Sequence, residues 1–306
     1  MTRIFMSGLA LLLCCSAALG LDFTSRSFDC APNQKVFVSA FQRFAKLKDS
    51  DGPTTRYNPT AGAIGYVYDQ GLWHAGAAIT YEHGDRKIRY DGGGRYEVRT
   101  NLPGISLFGG MKTVSGWYVD GSAFAGFASY KAKDGWDGVP IGNANSQHKT
   151  VFAAGLEAGR VLDFGCGFLI KPHVGVDYAY TPTERYRWPI GVRDTIDSQS
   201  YWEIPLGVTF SKEFNYGSWL LTPHFDVTMV NSLGKIDPMN AHPGFAYRTA
   251  NSWKVAGVAG NHVGARLSAG IAAKLNDRTS LGLDYTYEGR KDYNDHRISA
   301  MFGLSF

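Results

Sequence analysis

From about residue 35 onward, apolar side chains recur at every second position in one segment after another. Trp219, Leu221, Pro223, Phe225, Val227 and Met229 alternate with Thr222, His224, Asp226 and Thr228. Trp202, Ile204, Leu206, Val208 and Phe210 alternate with Glu203, Pro205, Gly207 and Thr209. The chain ends the same way, with Ile298, Ala300, Phe302, Leu304 and Phe306 on one face and Arg297, Ser299, Met301, Gly303 and Ser305 on the other. Successive side chains of a strand point to opposite faces, so each segment reads as a strand with one greasy side and one polar or small side. Twelve such segments are predicted, near 35–47, 57–68, 72–82, 96–112, 117–131, 149–161, 166–180, 198–210, 218–230, 261–275, 279–288 and 294–306.

The connectors sort by length. Asp69-Gln70-Gly71, Val114-Ser115-Gly116, Leu162 to Gly165 and Asn276-Asp277-Arg278 are short turns, whereas Lys133–His148, Thr181–Asp197 and Asn231–Gly257 are long and polar. Alternating short turns and long loops suit an up-and-down barrel that crosses an outer membrane, with turns inside and loops outside. The predicted fold is therefore all-β: a transmembrane antiparallel up-and-down barrel of about twelve strands. Its last strand is aromatic and closes against the first. Phe168–Val176 and Trp219–Val227 echo one another, each with a Lys-Pro-His or Thr-Pro-His step. Proline cannot donate to a ladder, so Pro172 and Pro223 are expected near strand ends or bulges.

The N-terminus reads as a secretory signal over residues 1–20: Arg3, the apolar run Leu9–Cys15 and the small-residue site Ala18-Leu19-Gly20. Residues 21–34 form a short periplasmic or lumenal segment, and 35–306 the barrel. No later stretch approaches twenty apolar residues, which excludes a helical membrane protein. A net charge of +4 without a basic run excludes nucleic acid as a partner. Cys14 and Cys15 leave with the signal, so a disulfide between Cys30 and Cys166 is compatible with the envelope, as are two free thiols. Neither lies in a metal-binding or redox spacing, and no metal or cofactor is expected.

Several stretches carry a resemblance to the translocator domain of autotransporters, the type V secretion proteins of Gram-negative bacteria. They are Trp117–Gly121, Thr150–Gly159, Phe168–Val176, Gly217–His224 and the run from Val263 through Asn276-Asp277-Arg278 to Phe306. The resemblance covers residue 34 to the end and implies a twelve-stranded outer-membrane barrel. Only Leu21–Gln34 would separate the signal from the first strand, so a barrel without a passenger is expected. The alternatives are a porin-like diffusion channel for small solutes, or a surface protein acting through its long loops, Asn231–Gly257 with Pro238 and Pro243 above all. Lipid and the barrel assembly machinery are the partners implied, with a loop partner left open.

The polar faces carry Glu157, Lys171, His173, Asp177, Glu203, His224, Asp226, Arg266, Lys274, Asp284, Glu288 and Arg297. These groups would line the lumen. They would either hydrate a pore or pair and brace the wall, and bracing is favoured. His173 with Asp177 and His224 with Asp226 invite a hydrolase reading, but no nucleophile or metalloprotease motif accompanies them, and no enzyme is expected. Trp117 and Trp219 follow short turns and are assigned to an interfacial belt. Ile298, Phe302, Leu304 and Phe306 are assigned as the assembly signal.

Overall fold

The computed structural model describes residues 33–48, 54–89, 94–136, 139–143, 147–181, 184–187, 193–196, 199–233, 262–276, 278–291 and 293–306. Twelve long strands follow in order: β1 (Asn33–Lys48), β2 (Thr54–Asp69), β3 (Trp73–Arg89), β4 (Gly94–Lys112), β5 (Trp117–Trp136) and β6 (Gln147–Arg160). The second half comprises β7 (Phe168–Thr181), β8 (Gln199–Lys212), β9 (Trp219–Leu233), β10 (His262–Lys274), β11 (Thr279–Arg290) and β12 (Tyr293–Ser305). Each pairs antiparallel with its neighbours in sequence. β12 closes on β1 from Lys35↔Ser305 to Leu47↔Tyr293, and the Phe306 N–H donates to the Gln34 carbonyl at 2.9 Å. Closure leaves no sheet edge, as a spanning sheet requires.

Alternation decides which way each side chain points. Phe37, Phe41 and Arg43 of β1 are buried inside, while Val36, Val38 and Phe44 are exposed outside. The turn end is tight. At the β6–β7 turn, Gly165, Cys166 and Gly167 all have positive φ (84°, 52° and 76°), and the Gly165 N–H donates to Asp163 Oδ1 at 2.8 Å. The turn thus falls later than Leu162–Gly165, with Leu162-Asp163 pairing back onto Leu169-Ile170.

Strand prolines sit where ladders break. The β6 pairing of β7 stops at Gly159↔His173 and resumes only at Leu162↔Ile170, which brackets Pro172. Pro223 is bracketed by Ser211↔His224 and Phe214↔Leu221, and Pro205 by Glu203↔Asp177 and Leu206↔Val174. Each missing N–H therefore costs no native hydrogen bond.

The loop end differs from expectation in detail. β3 runs to Arg89 rather than residue 82, and β5 to Trp136 rather than 131. The β3 extension carries Asp85, Lys87 and Arg89 outside, so the apolar period fades before the strand does. Lys133–His148 contains a short strand, Val139–Asn143, and Thr181–Asp197 contains a hairpin, Glu184–Arg187 with Arg193–Ile196. The signal segment, residues 21–32 with Cys30, and the loop with Pro238 and Pro243 lie outside the described residues.

Candidate functional site

On the inner wall, buried charged side chains from many strands converge within hydrogen-bond reach. Toward the loop end, Arg266 Nη2 lies 2.9 Å from Glu288 and 3.3 Å from Glu203. Arg290 reaches the same two carboxylates, 2.6 Å from Glu288 and in contact with Glu203. Glu203 is on β8, Arg266 on β10 and Glu288 with Arg290 on β11, and Arg290 also donates to Ser232 on β9, so the cluster ties four consecutive strands. Next to it Arg43 Nη2 meets Asp295 at 2.6 Å. Beside Arg43, on β2 and β3, the Tyr57 hydroxyl donates to Glu82 at 2.5 Å and the Arg86 guanidinium lies 5.5 Å from the Tyr57 ring centroid. Glu203, Arg43 and Arg86 are each 1–2% exposed. Buried charges persist only when paired, and removing one partner strands the others.

Toward the turn end the pairs are built over glycine. His74 on β3 stands opposite Gly110 on β4, which stands opposite Asp120 on β5. His74 Nε2 lies 3.5 Å from Asp120 across that glycine. His224 on β9 reaches Asp284 on β11 at 2.6 Å, over Gly270 on β10. His173 on β7 lies 3.3 Å from Thr228 and 3.6 Å from Asp226 on β9, over Gly207 on β8. A Cβ at Gly207 would sit 2.6 Å from His173 Nε2, and one at Gly270 2.7 Å from His224 Nε2. Glycine at these inward positions therefore lets side chains two strands apart meet. Beside them Glu157 accepts from Tyr118 at 2.7 Å and pairs with Lys171 at 3.3 Å.

All twelve candidate residues lie on the inward-facing side of their strands. The structure brings Glu203, Arg266 and Glu288 into one cluster, and Glu157 and Lys171 into one pair. Asp177 stands opposite Glu203 in the register, Arg297 donates to Thr286 at 3.3 Å, and Lys274 is exposed at the turn end of β10. The His–Asp pairs suggested by sequence proximity are not the ones formed. Asp226 is used by His173, Thr209 and Thr228, while His224 takes Asp284. Cα atoms two or four apart in a strand lie about 7 or 13 Å apart, so a partner reached across an intervening glycine, such as Asp284 for His224, can lie nearer than one in the same strand.

Sequence reasoning missed Arg43, His74, Glu82, Arg86, Asp120, Arg290 and Asp295. Carrying the two-residue period past residues 82 and 288 would have found Arg86 and Arg290. Arg43 shares parity with Phe37 and Phe41, and a charged residue directly following those aromatics on the same face was the available signal. Trp117, Trp219, Ile298, Phe302, Leu304 and Phe306 all face outward and are exposed. Cys166 is a free, exposed thiol.

A family model described as the autotransporter beta-domain matches residues 36–286. The BrkA autotransporter of Bordetella pertussis is 24% identical over 225 residues, which is 73% of this chain and 21% of that protein. The chain thus spans about a fifth of the length of that relative. The crystallised beta domain of the Bordetella autotransporter BrkA superposes with a TM-score of 0.68 at 19% identity, covering 89% of this chain and 99% of that one. The translocator domain of NalP from Neisseria meningitidis gives 0.65 at 12% identity, covering 99% and 96%. The transport unit of AIDA-I from Escherichia coli gives 0.60 at 11% identity, covering 95% of each.

Proposed function

Because the chain belongs to the autotransporter beta-domain family and is an outer-membrane barrel, we propose that it acts as a translocator that passes a polypeptide through its lumen to the cell surface. One observation carries this reading. The lumen wall combines both signs of charge with apolar aromatic stretches, a lining that can solvate an extended polypeptide backbone without holding any one sequence. The wall is braced by ion pairs between strands, so the barrel keeps its shape while its contents move. The histidine–aspartate pairs serve the same bracing: each is committed to partners on other strands. The outward Ile298, Phe302, Leu304 and Phe306, at the seam with β1, are the surface that assembly machinery would engage.

The test places an epitope between residues 21 and 32 of the full chain and probes intact cells. Surface labelling is expected. Labelling only after the outer membrane is permeabilised would overturn the proposal. Steady flux of small solutes through the purified wild-type barrel in a planar bilayer would point to a diffusion pore instead.

A further inference from the structure

The outer surface is not the same all round at the loop end. On β5, Trp117 to Phe127 climb about 25 Å at ~3.4 Å per residue and a tilt of ~40°, the height of a barrel's apolar band. Ser129 follows on the same face. In register with it across β4 to β1 stand Asn101, His83, Thr60 and Gln42. These groups hydrogen-bond sideways: Asn101 Oδ1 lies 2.9 Å from the Tyr81 hydroxyl and 2.7 Å from His83 Nδ1, and the Gln42 amide donates to the Pro59 carbonyl at 3.2 Å. This row of internally satisfied polar groups lies near the upper edge of the lipid core, with the exposed Phe44 one outward position above it on β1.

Above that row, β1–β5 continue to Lys48, Thr54, Arg89, Gly94 and Trp136. Their outward positions carry Lys46, Arg56, Lys87, Arg89, Arg99 and Lys131, all exposed. Arg99 is paired with Asp85 at 3.1 Å, and Glu97 is the other outward carboxylate among the described side chains of this stretch. The opposite sector ends differently. β11 and β12 stop at Arg290 and Tyr293, and outward Tyr178, Trp202, Tyr285, Tyr287 and His296 form an aromatic rim there, with the Tyr178 and Trp202 rings 4.4 Å apart.

We propose that the outward face of β1–β5, one to two residue rows above the apolar band, is a binding strip for the phosphate groups of an anionic glycolipid in the outer leaflet. Depth and charge together select that occupant. The cations sit where lipid phosphates lie, too close to the bilayer to meet a soluble partner face-on. Lysine and arginine near an anionic surface each strengthen attachment roughly fivefold. The strip would order lipid against one sector and leave the aromatic rim to neutral lipid.

The test uses the purified full chain in neutral detergent, with retained lipid read by native mass spectrometry. The probes are bisphosphorylated lipid A, its dephosphorylated form and inorganic phosphate. Wild type is expected to retain bisphosphorylated lipid A, and K46Q/R56Q/K87Q/K131Q at least about tenfold less. A control variant at the turn end, K212Q/R278Q, is expected to match wild type, with heat-modifiable gel mobility confirming folded barrels. Retention by wild type should also fall in high salt. The proposal is overturned if the quadruple variant retains lipid like wild type, if the control loses as much, or if dephosphorylated lipid binds equally. Salt-independent retention would also overturn it, as would displacement by inorganic phosphate, which would mark a free-anion site.

Discussion

Two halves of the inner wall solve the same packing problem with opposite chemistry. Along β1–β5, inward glycines receive aromatic rings, save Gly110, which lies under the His74–Asp120 pair. Phe37 lies over Gly65 and Phe108 over Gly76, and the two rings meet at 6.0 Å with Ala63, Val67, Ala78 and Met301 around them. Along β7–β12, inward glycines instead open windows for polar pairs: Gly207 under His173 and Thr228, Gly270 under His224 and Asp284, Gly264 under Arg290. Removing a side chain from the wall therefore has no single meaning. It makes a seat for a hydrophobic ring in one half and a passage for a hydrogen bond in the other, and the neighbours two strands away decide which.

That contrast can be broken from either side. Glu203→Ala should be the most damaging change, because it leaves Arg266 and Arg290 short of a buried partner; about 3–5 kcal/mol is expected, read as a lower urea midpoint by heat-modifiable mobility. The double variant Glu203→Ala/Arg290→Ala should recover part of that loss, and strict additivity would show that the cluster does not act as a unit. Phe37→Ala in the apolar half should cost about 3 kcal/mol by the same measurement, with no change in its salt dependence. Gly207→Val should cost about 2 kcal/mol by overpacking and free His173 from Thr228, seen as a shifted imidazole resonance; an unshifted resonance would show that the window is not required. Asp85→Asn, outside the barrel on an exposed pair, should change stability by less than about 1 kcal/mol, which separates surface charge from lumen charge.

The twelve strands were readable because a lipid-facing position must be apolar and its neighbours need not be, which imposes a period of two wherever lipid is touched. Val263, Ala265, Leu267, Ala269, Ile271 and Ala273 on β10 show that rule without interruption. The rule lapses above the membrane. Thus β3 continues past Glu82 through Asp85 and Lys87 with no apolar signal, and Arg86 stayed unseen as a lumen residue. The prolines at 172 and 223 announced breaks in the ladder, and the breaks are there, because a missing N–H is a local fact carried by one residue. The partners of the histidines were not local. Asp177 and Asp226 are near in sequence to His173 and His224, but the histidines turn across the sheet instead, His173 to Asp226 and His224 to Asp284.

The sequence by itself determined an up-and-down outer-membrane barrel, since alternation, turn spacing and a terminal aromatic strand depend only on each strand and its solvent, while the autotransporter type rested on a resemblance of whole segments. Only the tertiary structure decided which inward groups meet. His224–Asp284 crosses one intervening strand and Arg290–Glu203 two, and they exist because register places a glycine, or a reaching arginine, at the crossing. Register is fixed by the whole circuit of pairings, so no single segment contains it.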